Sequence, residues 1–78
     1  MKDILEYLIK SIIKSPLSQL SISEETTNGY LTLIIEADEN EKPMLIGRNG
    51  KTIKALYNLL YPIAKRERIY SFQLKVKD

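Results

Sequence analysis

Ile46-Gly47-Arg48-Asn49-Gly50-Lys51-Thr52-Ile53 is the stretch on which the reading of this 78-residue chain turns. Two glycines enclose an arginine and an asparagine, an isoleucine stands on each flank, and an amphipathic helical pattern follows at once. A two-glycine spacing alone arises by chance in roughly one such chain in three, given an average glycine usage of about 7%. The surroundings therefore have to carry its meaning.

Upstream, an acidic run, Asp38-Glu39-Asn40-Glu41, leads into Lys42-Pro43. A calcium loop starting at Asp38 is excluded, because its sixth position is Pro43 rather than glycine and its twelfth is Asn49 rather than glutamate. The pattern predicts a short helix instead. Asp38 or Asn40 would cap it, the acids would sit at the positive end of its dipole, and Pro43 fits only a first turn. This helix should stop at Gly47. Downstream, Ile53, Leu56, Tyr57, Leu60, Ile63 and Ala64 mark a second amphipathic helix. Pro62 is expected to kink it or end it early, leaving Lys65-Arg66-Glu67-Arg68 as a solvated connection.

Further out, residues 3–14 carry a wide apolar stripe of Ile4, Leu5, Leu8, Ile9, Ile12 and Ile13. Asp3 is the expected N-cap, and Ser15-Pro16 the expected stop. Residues 19–24 alternate, with Leu20 and Ile22 on one side. Asn28-Gly29 supplies the positive φ of a tight turn within 25–29, and residues 30–37 form a β-branched run too short for a helix. These two segments predict a hairpin. Residues 69–77 form a last strand, with Tyr70, Phe72, Leu74 and Val76 on one face. The resulting order is α-β-β-α-α-β, an α+β fold with three helices on one face of a three-stranded mixed sheet, in a single domain spanning residues 1–78.

Composition narrows the function. The chain has no cysteine and no histidine. That removes thiolate chemistry, the commonest general base and the commonest metal ligand. No clustered carboxylates replace them, so neither an enzyme nor a metal or cofactor site is expected. No apolar run approaches a membrane span, and acids interrupt the N-terminus where a secretory signal needs an unbroken apolar core, so the expected location is the cytoplasm. A domain of this size buries only about 60% of its unfolded surface, which favours help from self-association.

The net charge of +2 is unevenly spread. Residues 1–41 hold three lysines against eight acids, whereas residues 42–78 hold nine lysines and arginines against Glu67 and Asp78. The C-terminal half is the expected anion-binding face. Within it, Gly47 and Gly50 let a sugar–phosphate chain approach the main chain closely. Arg48 can fork onto a phosphate, Asn49 can donate from its amide, and Lys51 and Lys54 add charge one helical turn apart. Ile46 and Ile53 are expected to point inward and fix the angle between the two helices. A Walker loop and a dinucleotide fingerprint both need glycine patterns that are absent here.

The octet resembles the Ile-Gly-x-x-Gly-x-x-Ile core of KH domains, whose loop clamps about four nucleotides of backbone. The element order resembles the bacterial type II KH fold, and the chain as a whole resembles the small single-KH proteins of the KhpA (YlqC-like) family. Two positions depart from that pattern. Pro43 stands where relatives carry glycine, so the short helix would begin later, and Tyr61-Pro62 interrupts a helix that relatives continue. The resemblance implies a non-enzymatic single-stranded RNA-binding protein, a post-transcriptional regulator linked to cell elongation and division. It further implies a homodimer and pairing with a larger KH-containing protein, without membrane or small-molecule substrate. It implies that Gly47, Arg48, Asn49 and Gly50 touch phosphates, supported by Lys51 and Lys54. Ile46 and the edge of strand 30–37 would form an apolar floor for bases. The alternative role is a protein-interaction subunit with incidental RNA contact, using Tyr57, Tyr61 or Tyr70, although the strand pattern favours Tyr70 as core.

Overall fold

The computed structural model describes residues 1–13 and 19–77. Helix α1 spans Lys2–Ile12, strands β1 and β2 span Ser21–Thr27 and Tyr30–Glu36, helix α2 spans Lys42–Ile46, helix α3 spans Lys51–Arg66 and strand β3 spans Phe72–Val76. One tight 3-10 turn, Arg48–Gly50, separates α2 from α3. The expected order, α-β-β-α-α-β, is therefore present. The first helix ends at Ile12, with Ile13 already extended at φ −93°, ψ 108°, short of the expected end at residue 14; the expected stop signal Ser15-Pro16 itself lies outside the described residues.

The sheet order is β1-β2-β3. β1 and β2 pair antiparallel from Ser21↔Glu36 to Thr27↔Tyr30, and β2 and β3 pair parallel from Leu31↔Phe72 to Ile35↔Val76. Asn28 and Gly29, at φ 52° and 78°, make a two-residue hairpin turn, since both positions need positive φ to match the strand twist. The strand thus continues to Thr27, beyond the expected end at Glu24. A parallel partner for β2 requires a crossover, which α2 and α3 supply.

Alternation along β2 places Leu31, Leu33 and Ile35 on the helix side, where they meet Ile22, Phe72, Leu5, Ile9, Leu45, Leu56, Leu60 and Ala64. Full burial of a leucine or isoleucine contributes about 1.5–3 kcal/mol. Seven such side chains are completely enclosed, contributed by all three helices and by β2, so the helices are tied to one face of the sheet. On the opposite face Gln73 Nε2 donates to Thr32 Oγ1 at 3.1 Å, and Lys77 Nζ meets Glu36 Oε1 at 3.2 Å.

Several local expectations change. Met1, not Asp3, is the N-cap of α1, and Asp3 lies in the first turn, where its charge still complements the dipole. Glu41 is the N-cap of α2 and makes no side-chain cap, so neither Asp38 nor Asn40 holds that place. Asp38 instead closes the preceding turn, its carbonyl accepting from the Glu41 amide at 2.8 Å. Pro43 sits in the first turn of α2 as expected.

Pro62 does not end α3, which runs on to Arg66 and absorbs Lys65 and Arg66 from the expected connection. The ring costs the bond to the Asn58 carbonyl, but Leu56, Leu60 and Ala64 on the opposite side are fully buried and hold the helix to the sheet. β3 begins only at Phe72. Tyr70 precedes it and is 72% exposed, contrary to the core position its alternation predicts. Arg68, at φ 62°, turns the chain there, so the strand geometry starts later than the hydrophobic pattern does.

Candidate nucleic-acid interface

The junction of α2 and α3 is built from backbone conformations that few residue types accept. The Gly47 amide donates to the Pro43 carbonyl at 2.8 Å and closes α2. Gly47 then adopts φ 78°, ψ 171°, Asn49 adopts φ 56°, ψ 29°, and Gly50 adopts φ 74°, ψ 17°. Asparagine is the non-glycine residue best suited to the left-handed region, because its short amide can bond locally. Asn49 is therefore suited first by its backbone, beyond the amide donor the sequence suggests. The Gly50 amide donates to the Gly47 carbonyl at 3.1 Å, which ties the turn into a ring.

The two glycines have different duties. A Cβ on Gly47 would overlap the Thr52 hydroxyl and lie 2.7 Å from the Thr52 backbone nitrogen. A Cβ on Gly50 would meet only Ile53 Cγ2, at 3.8 Å. Gly47 thus lets the loop lie directly on the first turn of α3, and Gly50 serves its positive φ. No side chain caps α3, so its N-terminal N–H groups and positive dipole end face the loop.

Charge gathers at the same place. Arg48, Lys51 and Lys54 are exposed, and none forms an ion pair among the described residues. Other cations of the basic half are engaged: Lys42 pairs with Glu39 at 3.0 Å and Lys77 with Glu36. The charge reversal in the sequence therefore leaves its unpaired part beside the loop, along α3 and at Arg68 and Lys75.

Next to the loop, α3 and β3 enclose a shallow groove of about 240 Å³ lined by Ile53, Lys54, Tyr57, Gln73 and Leu74. The Tyr57 ring stacks on Phe72 with centroids 4.6 Å apart and planes 15° from parallel, which fixes the groove wall. Leu31 N–H donates to the Ser71 carbonyl, and Lys77 N–H to the Ile35 carbonyl. Alternation along a parallel ladder then turns the N–H and C=O of Phe72, Leu74 and Val76 toward the open edge.

Two expectations about the floor are corrected. β2 is hydrogen-bonded on both sides and has no edge, so the strand beside the loop is β3. Ile46 does not point inward. It is 40% exposed at the end of α2, and the neighbouring Leu45, fully buried, anchors that helix. Ile53 does pack against the core, as expected. Gln73 and Leu74 are groove residues absent from the site expected from sequence, and Tyr57, which the sequence offers only as a protein-contact residue, lines the groove with them. The spacing of Ile53 and Tyr57 at i and i+4 placed both on one helix face, but nothing in the sequence identified β3 as the neighbouring edge.

Among the described residues, no helix is long and apolar enough to cross a membrane. The chain is 35% identical over 71 residues to the RNA-binding protein KhpA of Chlamydia caviae, covering 88% of this chain and 87% of that protein. It is 34% identical over 64 residues to the protein of the same name from Streptococcus pneumoniae, covering 78% and 81%. The match to the Chlamydia trachomatis protein is 26% over 69 residues, covering 88% and 87%. The KH-domain model of KhpA and KhpB matches residues 2–76, nearly the whole described chain. A glycine-bounded turn between two helices, set against a mixed three-stranded sheet, thus belongs to a member of the KhpA/KhpB KH-domain family.

Proposed function

We propose that this chain binds single-stranded RNA without catalysis, closing the Gly47–Gly50 turn on the sugar–phosphate backbone. The observation that carries this reading is the coincidence of three unpaired cations, Arg48, Lys51 and Lys54, with an uncapped helix N-terminus and a loop lying flat on it. The names of the relatives support RNA as the ligand. In this reading the Arg48 guanidinium forks onto one phosphate and the Asn49 amide donates to the next. Gly47 and Gly50 let the strand approach the main chain, and Lys51 and Lys54 neutralise the phosphates that follow. Ile46 forms an apolar lip, and the bases lie over Ile53, Tyr57 and Leu74, where the outward N–H and C=O groups of β3 can meet their edges.

The reading extends to a cytoplasmic, single-domain post-transcriptional regulator linked to cell elongation and division. It would act as a homodimer or paired with a larger KH-containing protein. Leu59, 47% exposed, shares one flank of α3 with Ala55 and Pro62, both exposed, and that flank points away from β3. A second copy docked there would leave both grooves open and join two weak sites into one stronger one.

The test is the double variant Arg48→Asp with Asn49→Asp. Aspartate tolerates the left-handed conformation at position 49, so the fold should survive. Circular dichroism should be unchanged, and affinity for a single-stranded RNA should fall more than tenfold. An unchanged spectrum with undiminished affinity would refute the clamp.

A further inference from the structure

The α3 surface beyond Tyr57 has no role in the clamp just described, yet it continues the face that Lys54 and Tyr57 begin. At 100° per residue, Lys54, Tyr57, Asn58, Tyr61 and Lys65 fall on one stripe, at i, i+3, i+4, i+7 and i+11. Tyr57 places that stripe on the β3 side, because it lines the groove and stacks on Phe72. Tyr61 comes next along the helix. Its ring centroid is 6.3 Å from that of Tyr57, the planes are tilted by 41°, and the residue is 50% exposed. Tyr61 is not packed into the hydrophobic core, so its exposed surface adds nothing to the fold. Beyond it Lys65 is exposed and, like Lys54, forms no ion pair among the described residues.

We propose that Tyr61, flanked by Lys65, is a stacking step that takes the bases of single-stranded RNA leaving the groove, so that the binding track runs along α3 past the loop. This inference rests on the RNA-clamp reading above. Two observations favour RNA over a second copy of the chain on this stripe. The stripe continues from the groove, and it sets two aromatic rings, Tyr57 and Tyr61, between two unpaired cations, Lys54 and Lys65, which suits a polyanion carrying flat bases.

The dimensions agree. Tyr61 lies four residues past Tyr57, the last groove residue on α3, about 6 Å along the helix. A stacked strand advances about 3.4 Å per nucleotide, and a strand splayed over side chains advances further. The track therefore adds about two nucleotides to the four or so that a KH loop holds. Every base has a π-face, so the added affinity depends on length and hardly on sequence.

Fluorescence anisotropy with uridine and adenosine oligonucleotides of four, six and eight residues tests this directly, using wild type, Tyr61→Ala, Tyr61→Phe and, as a remote control, Tyr7→Ala on α1. Wild-type affinity should rise at least fivefold from four to six residues and then level off. Tyr61→Ala should remove that rise and leave tetranucleotide binding unchanged, whereas Tyr61→Phe and Tyr7→Ala should keep it. Replacing the two terminal bases of the hexanucleotide by abasic sugars, at one end or the other, should mimic Tyr61→Ala.

A flat length dependence in wild type would overturn the proposal, as would equal loss for four and six residues in Tyr61→Ala. Loss of the rise in Tyr61→Phe would also overturn it. A change in sedimentation with unaltered RNA binding in Tyr61→Ala would assign the stripe to a second copy instead. Failure of the clamp reading looks different: no oligonucleotide of any length would then depend on Arg48 and Asn49.

Discussion

Gly47→Ala tests the architecture of the loop separately from anything it binds. The added methyl would overlap the Thr52 hydroxyl and stand 2.7 Å from the Thr52 nitrogen and 2.8 Å from its Cβ. The backbone at φ 78°, ψ 171° is nearly closed to other residues and costs roughly 1–3 kcal/mol when forced. The steric conflict adds roughly 1–3 kcal/mol, as overpacking does elsewhere. The combined loss is about 4 kcal/mol, from a total of roughly 4–12 kcal/mol for a domain of this length. Gly50→Ala is the matched comparison. It shares the positive φ but meets only one atom at 3.8 Å, so its cost is about 1–2 kcal/mol.

Urea titration followed by circular dichroism reads the difference. With a slope near 1 kcal/mol per molar for a small domain, the midpoint should fall by about 4 M for Gly47→Ala and by 1–2 M for Gly50→Ala. Thr52→Ala should not rescue Gly47→Ala, because the backbone nitrogen and the Cβ remain in the way. Equal midpoints for the two glycine variants, or full rescue by Thr52→Ala, would refute the assignment of Gly47 to close packing.

Three further outcomes follow from the same geometry. RNA affinity should fall with salt at a log–log slope of roughly −2 to −3, the value for three or four phosphates on a single strand, and Arg48→Ala should make that slope shallower by about 0.7; titrations at several salt concentrations measure both. Pro62→Ala should stabilise the domain by about 1–2 kcal/mol in urea melts, since it restores an N–H to the Asn58 carbonyl at an exposed position, and a loss of stability would contradict the account of α3. Asn49→Gly should leave stability within about 0.5 kcal/mol, whereas Asn49→Ala should lose about 1 kcal/mol or more through its left-handed backbone, so thermal melts of the pair separate the backbone role from the amide.

Much of this fold is legible in the sequence because local signals and tertiary packing agree there. Asn28-Gly29 demands positive φ twice and receives it, and the β-branched run over 30–37 becomes the central strand. The octet at 46–53 breaks and restarts a helix where its glycines stand. Disagreements arise where a distant element decides. Tyr70 continues the alternation of β3, but burial there requires a helix overhead, and α3 has already ended at Arg66. Pro62 reads as a stop, yet the buried side chains opposite it outweigh one missing hydrogen bond. Ile46 and Leu45 are both apolar, and in a five-residue helix only the sheet's position selects which of them turns inward. The groove was hidden for the same reason: its far wall is β3, and strand order is a property of the crossover rather than of any one segment.

In the proposed complex RNA lies across the Gly47–Gly50 turn and the α3–β3 groove. An amide-resolved NMR titration of the wild-type chain with a single-stranded hexanucleotide tests it most directly. Shifts should concentrate at residues 46–54, at Tyr57 and Tyr61, and at residues 72–76, with α1 and the hairpin at Asn28-Gly29 silent. Shifts centred on α1 or on the hairpin, with the loop unmoved, would contradict it.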